Sequence, residues 1–278
     1  MAIRVLLNAL VRGSVALAFT AATPAAWAER IELTRADDKR TSAYWQPAPA
    51  PDRRPVIVAL HGCGGLFSAR GTTFDARYIE YTRLFHAAGW HVLLPDSFAG
   101  RSICAETTRA RTVTVEDRRA DVLAALDWLR ARDDVDAARI VILGWSHGAM
   151  TALNVANAAR SVYAQPLAGV ALFYPGCREL LEFPFKVAAP VLMQLGEKDD
   201  WTPAKPCQAL AQAARERNPA VPFDLIVYPD AYHAFDSARP VRFRPDVANG
   251  RGAHAGGNPA ARSAAQARLM AFLHKVLQ

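Results

Sequence analysis

Apolar residues in this chain come in short dense runs, separated by longer stretches in which they recur every three or four positions. The dense runs include Val56-Ile57-Val58-Ala59-Leu60, the segment 90–94, Arg139-Ile140-Val141-Ile142-Leu143, the segment 168–173 and Pro190-Val191-Leu192-Met193-Gln194-Leu195. Their length and β-branched content predict buried strands, and Phe223-Asp224-Leu225-Ile226-Val227-Tyr228 adds an alternating one. Between them, Tyr78, Tyr81, Leu84 and Phe85 follow helical spacing over 74–88, and Val122, Leu123, Leu126 and Leu129 share one face over 114–132. Further helices are predicted at 147–160 and 260–277, and another just past the 190–195 strand, where Cys207 lies. Strands alternating with helices predict an α/β fold, a mostly parallel central sheet with helices on both faces. Residues 30–46 predict an opening hairpin or edge strand, and the proline-rich 47–55 an extended connector. Residues 236–259 are polar and rich in Gly and Pro, and predict a long loop that either shapes a pocket mouth or decorates the surface. No repeat breaks the pattern, so residues 29–278 are expected to form a single domain.

The N-terminus reads differently. Arg4 and Arg12 precede a short apolar run, Gly13 to Ala22, and Ala26-Trp27-Ala28 has the small-x-small form of a cleavage site. Residues 1–28 therefore predict a signal peptide cut after Ala28, and a periplasmic or secreted protein. The apolar run is too short for a spanning helix, which needs about 20 apolar residues, so no stable membrane insertion is expected. An oxidising compartment makes disulfides plausible for Cys63, Cys104, Cys177 and Cys207. Four cysteines allow three pairings. Loop placement favours Cys177 with Cys207, which leaves Cys63 with Cys104.

Net charge is +7, and removal of the leader would take away two of those charges. The arginines are scattered, with no basic tract or interleaved aromatic stripe, so nucleic acid is not an expected partner. No Cys-x-x-Cys or His-x-x-x-His spacing points to a metal. The glycine-rich segments match neither a Walker loop nor a dinucleotide fingerprint, and no cofactor is expected.

Chemistry enters with Gly144-Trp145-Ser146-His147-Gly148, set between a predicted strand and a predicted helix. A Gly-x-Ser-x-Gly turn there is tight enough to strain the serine and lift its hydroxyl clear of the sheet. A serine hydroxyl needs a base, usually a histidine oriented by a carboxylate. Downstream, the 190–195 strand runs into Gly196-Glu197-Lys198-Asp199-Asp200-Trp201-Thr202-Pro203, and Asp199 is the preferred acid, with Asp200 its rival and Glu197 behind both. The 223–228 strand runs into Pro229-Asp230-Ala231-Tyr232-His233, which puts His233 at the same sheet edge. Among the seven histidines the next candidate base is His254, in a Gly-rich segment with no strand leading in. After the 56–60 strand, His61-Gly62-Cys63-Gly64-Gly65 could aim a backbone N–H, of Cys63 or Gly62, at a developing oxyanion, with the N–H of His147 as the second donor. Substrate contacts are weaker expectations: Arg101, with Arg109 and Arg111 as alternatives, for a substrate carboxylate, and Tyr174 and Trp201 either as pocket walls or, equally, as core aromatics. Trp145 is expected to pack in the core.

Taken together, Leu60-His61-Gly62-Cys63-Gly64-Gly65, Leu94-Pro95-Asp96-Ser97-Phe98, the Ser146 pentad, Phe173-Tyr174-Pro175-Gly176, the Asp199 loop and Tyr232-His233-Ala234-Phe235 resemble the dienelactone hydrolase family of α/β-hydrolases. The resemblance covers most of the chain after about residue 52. It implies a Ser-Asp-His triad at Ser146, Asp199 and His233. The namesake enzymes carry a cysteine nucleophile where this chain has Ser146, which shifts the expectation from dienelactones toward a serine esterase acting on small-molecule esters or lactones. Cleavage of peptides or of polymer-linked esters by the same triad, and a non-catalytic binding protein on a hydrolase scaffold, are the alternatives.

Overall fold

In each dense apolar run, odd and even positions serve opposite faces of one sheet. A computed structural model of the chain describes residues 28–49, 52–68, 71, 73–99, 113–160 and 166–278. Strands β1 (Glu29–Thr34) and β2 (Arg40–Gln46) form an antiparallel hairpin, and β3 (Arg54–Leu60), β4 (His91–Asp96), β5 (Val135–Trp145), β6 (Gly169–Phe173), β7 (Val191–Gly196) and β8 (Phe223–Tyr228) complete an eight-stranded sheet. Its order is β1-β2-β4-β3-β5-β6-β7-β8; β1 and β2 pair antiparallel to each other, β2 pairs antiparallel to β4, and the rest pair in parallel.

Val56, Val58, Ile140, Ile142, Val170 and Leu172 pack on one face with α2 (Val115–Arg130), α3 (His147–Ala156) and α4 (Ala204–Arg217). Ile57, Ala59, Val141, Leu143, Ala171 and Phe173 pack on the other with α1 (Ala76–Ala87) and α5 (Pro259–Val276). The two-residue period of a strand thus fills two cores from one sequence run. Helix α2 starts at a capping box, in which Thr114 and Asp117 satisfy each other's backbone N–H groups.

Two expectations are corrected. The helix predicted over 147–160 stops at Ala156, because Asn157 turns extended (ψ 95°) and spends its amide on local backbone: it donates to the Pro184 carbonyl and accepts from the N–H groups of Ala159 and Lys186. The long 236–259 segment is not structureless: β9 (Arg242–Arg244) and β10 (Ala253–Ala255) pair antiparallel within it, and Ala255 bridges to His233. The predicted signal peptide lies outside the described residues apart from Ala28. Among the described residues, no helix is long and apolar enough to cross a membrane. Cys177 and Cys207 are joined as expected, and Cys63 is disulfide-bonded as well; its expected partner Cys104 lies outside the described residues.

His91, 1% exposed, makes the fold sensitive to acid. Its Nδ1 accepts from the Ala48 N–H at 2.8 Å, and its Nε2 lies 3.1 Å from the Asp134 carbonyl, to which it must donate. The first bond needs the neutral ring, because a protonated Nδ1 cannot accept, and burial lowers the pKa from its ordinary 6.5. The unfolded chain then binds the proton more readily than the folded one, so stability falls as pH drops through about 6.5. Burial lowers the pKa of His86 too, with the same sign. Thermal unfolding should give a lower midpoint at pH 5 than at pH 7.5, and His91→Gln should narrow that gap; an equal gap in the variant would exclude His91 as a source.

Candidate active site

Parallel strands deliver their following loops to one edge of the sheet, and three of those loops meet. Ser146 links β5 to α3 at φ 52°, ψ −117°, a left-handed conformation rare outside glycine. Its N–H donates to the Phe173 carbonyl at 2.9 Å, tying the turn to β6. The flanking glycines are sterically required. A Cβ on Gly148 would lie 2.1 Å from the Leu60 carbonyl oxygen, and one on Gly144 would lie 2.5 Å from that of Gly148.

Beyond β7, Asp199 is 4% exposed. Its Oδ1 accepts from the N–H groups of Trp201 and Thr202 at 3.0 and 2.7 Å. Its Oδ2 lies 2.8 Å from Nδ1 of His233, and Nε2 of His233 lies 3.0 Å from the Ser146 hydroxyl. A carboxylate facing Nδ1 fixes the proton there and leaves Nε2 free to accept. The Thr202 hydroxyl sits 3.0 Å from both Asp199 Oδ2 and His233 Nδ1, and 3.1 Å from the Tyr174 carbonyl, so it braces the carboxylate–imidazole pair. Adjacent Asp200 turns the other way: its Oδ2 lies 2.7 Å from Nδ1 of His254, and its Oδ1 accepts from the His254 N–H at 2.8 Å. The alternative acid and the alternative base thus bind each other, both about two-fifths exposed.

The Gly62 N–H donates to the Tyr78 hydroxyl at 3.2 Å, which occupies one of the two candidate donors in the His61–Gly65 turn and leaves the Cys63 N–H as the other. That turn abuts the serine, since a Cβ on Gly62 would stand 3.6 Å from Cβ of Ser146. Arg101, Arg109 and Arg111 lie outside the described residues. Trp201 is half-buried, with its ring centroid 4.6 Å from that of His233, at the edge of the site. Tyr174 takes the core side of its two readings. At φ 41° its side chain turns inward, is 1% exposed, and lies beneath His233 with ring centroids 4.6 Å apart, so it supports the site from below and does not wall a pocket.

Sequence reasoning missed what Tyr174 binds. Its hydroxyl donates to Asp236 Oδ1 at 2.5 Å, while Asp236 Oδ2 accepts from Trp145 Nε1 at 2.8 Å and pairs with Arg77 Nε at 3.2 Å. Burial above all pushes the Tyr174 phenol well above its ordinary range, which keeps it protonated and donating. One buried carboxylate therefore ties together the residue before Ser146, the ring under His233 and a helix α1 cation. The one signal in the sequence was an acid three places after His233, at the mouth of an apolar Ala234-Phe235 step. Asp236→Ala should cost on the order of 3 kcal/mol in urea unfolding, because it strands a largely buried guanidinium; a loss under 1 kcal/mol would mean that the Arg77 charge is satisfied elsewhere.

The sequence pattern that defines the dienelactone hydrolase family matches residues 42–277. The chain belongs to that family. This dienelactone hydrolase family member is similar to an uncharacterised protein of Mycobacterium tuberculosis, 30% identical over an alignment of 213 residues, with 71% of this chain and 69% of the relative covered. Among solved structures it is similar to a dienelactone hydrolase-like promiscuous phosphotriesterase from metagenomic libraries, with TM-score 0.65 and 16% identity over 90% of this chain and 99% of that one. It is also similar to the thermophilic esterase Est2 of Thermogutta terrifontis, with TM-score 0.62 and 18% identity over 90% of this chain and 93% of that one. At these identities the structural likeness is one of fold. Family membership makes the chain a hydrolase.

Proposed function

We propose that this protein hydrolyses carboxylic esters or lactones through an acyl-enzyme on Ser146. The observation that carries the reading is the unbroken series Ser146 Oγ, His233 Nε2, His233 Nδ1 and Asp199 Oδ2, with links of 3.0 and 2.8 Å, at a serine held in left-handed backbone. As the hydroxyl attacks the substrate carbonyl, His233 takes its proton, and Asp199 stabilises the resulting imidazolium without itself becoming protonated. The oxyanion is received by the N–H groups of Cys63 and His147, the latter at the N-terminus of α3 where backbone donors favour negative charge. His233 then protonates the leaving alkoxide, and the same ring activates the water that releases the acid and restores Ser146.

Esterase and dienelactone hydrolase-like neighbours support an ester substrate, and the Thermogutta terrifontis esterase has been captured phosphorylated by paraoxon. The predicted leader at residues 1–28 and the Cys177–Cys207 bridge support export to an oxidising compartment, with residues 29–278 acting there as one domain on a small-molecule ester.

Two measurements test the reading: a fluorophosphonate probe with mapping of the adduct, and a panel of nitrophenyl esters, lactones and peptide anilides. The expected result is one adduct on Ser146 and turnover of esters or lactones over anilides. Labelling elsewhere, or turnover confined to the anilides, would overturn it.

A further inference from the structure

The site so far described leaves one buried cation out of its chemistry. Arg118, in the first turns of α2, is 1% exposed. Its Nη2 donates to the His61 carbonyl at 2.7 Å, and its Nη1 lies 2.9 Å from Nδ1 of His147. A guanidinium has no acceptor, so that ring nitrogen must accept, and the proton of His147 sits on Nε2. The guanidinium carbon also lies 5.3 Å from the centroid of the Phe98 ring.

These two partners belong to different segments. His61 opens the turn that carries the Cys63 N–H, and His147 carries the other proposed donor. The segments also press together directly: the closest atoms to a Cβ on Gly148 would be the carbonyl oxygens of Leu60 and His61, at 2.1 and 2.6 Å. On its far side the turn is pinned by the Gly62 N–H to Tyr78 of α1. A planar fork bonded to both segments fixes their separation in a way that a single-point ammonium does not. That separation matters because an oxyanion hole works by being preorganised, and a misplacement of about 1 Å can cost 10²-fold.

We propose that Arg118 is the positioning residue of the oxyanion hole, setting the distance between the Cys63 and His147 N–H groups by gripping the His61 carbonyl and the His147 imidazole at once. The inference rests on the acyl-transfer reading of Ser146. It assigns Arg118 no contact with substrate and no share in proton transfer.

The test uses Arg118→Lys and Arg118→Met in the whole protein, each normalised to sites titrated by fluorophosphonate. Three quantities are read with a nitrophenyl ester and an alkyl trifluoromethyl ketone, whose adduct with a serine places an oxyanion in the hole. The expected result is a fall in kcat of about 10- to 100-fold, KM within threefold of wild type, and a rise in ketone Ki by the same factor as the fall in kcat/KM. Arg118→Lys, which keeps the charge and loses the fork, should fall nearly as far as Arg118→Met. A lower fraction of titratable sites with unchanged kcat per site would mean that Arg118 only supports folding, and would overturn the proposal. Should neither variant fold, His147→Leu removes the second grip while keeping the backbone N–H; a parallel loss in kcat and ketone affinity supports the proposal, and wild-type values of both overturn it. Failure of the underlying reading is separately visible, because wild-type protein would then show no adduct on Ser146.

Discussion

Ser146→Ala should lower kcat for a nitrophenyl ester by about a millionfold, with the folded state intact. The size follows from the chemistry: without the oxygen there is no acyl-enzyme, and removing the nucleophile of such a unit costs about as much as removing the whole unit. What remains is binding and the oxyanion donors acting on water, worth about 10³–10⁴ over the uncatalysed rate. Folding should be spared because the hydroxyl's one hydrogen bond among the described residues is to the His233 ring. Alanine suffers the same left-handed φ as serine, so the backbone penalty does not change. Turnover, active-site titration and thermal unfolding decide the matter together. A variant that unfolds like wild type and keeps more than a hundredth of the rate would place the nucleophile elsewhere.

The second large effect separates two neighbouring acids. Asp199→Asn should lower kcat by about 10⁴-fold, the cost of presenting His233 in the wrong tautomer. The asparagine amide would donate toward Nδ1 and push the ring proton to Nε2, where it faces the Ser146 hydroxyl and blocks proton uptake. Asp200→Asn should leave kcat within a few-fold, because Asp200 holds His254 and the β10 backbone and does not touch the His233 ring. The pH profile adds a second readout, since only the Asp199 variant removes the charge that stabilises the His233 cation. Equal losses in both variants, or the larger loss at Asp200, would reverse the assignment.

Much of this arrangement was legible before any coordinates. Apolar runs of five or six residues announce the parallel strands, and strand ends announce the loops that carry Ser146, Asp199 and His233. The choice between Asp199 and Asp200 was legible only as a preference for Asp199, because side chains one residue apart point in different directions and the outcome depends on Thr202 and His254 closing over them. Arg118 and Asp236 were hidden for a different reason. On a helix or in a loop a charged residue reads as solvated, and only the packed structure shows that Arg118 is enclosed between two turns and Asp236 between three aromatic or cationic partners. Tyr174 stayed open between cleft and core because its position at a strand's carboxyl end suits either, and only the packed structure shows it buried against His233 at a left-handed φ. Strands β9 and β10 were missed because three-residue pairings in a Gly/Pro-rich stretch leave no periodicity to count.

The left-handed turn at residue 146 has a bearing on how this protein can be improved. Any L-amino acid there is held in a conformation it resists, at about 1–3 kcal/mol, while glycine would relax it. The fold would therefore be sturdier with its working side chain deleted, and selection for heat tolerance alone would drift toward an inert protein. Thermostabilising libraries built on this scaffold need a turnover screen at every round, or residue 146 must be held fixed from the start.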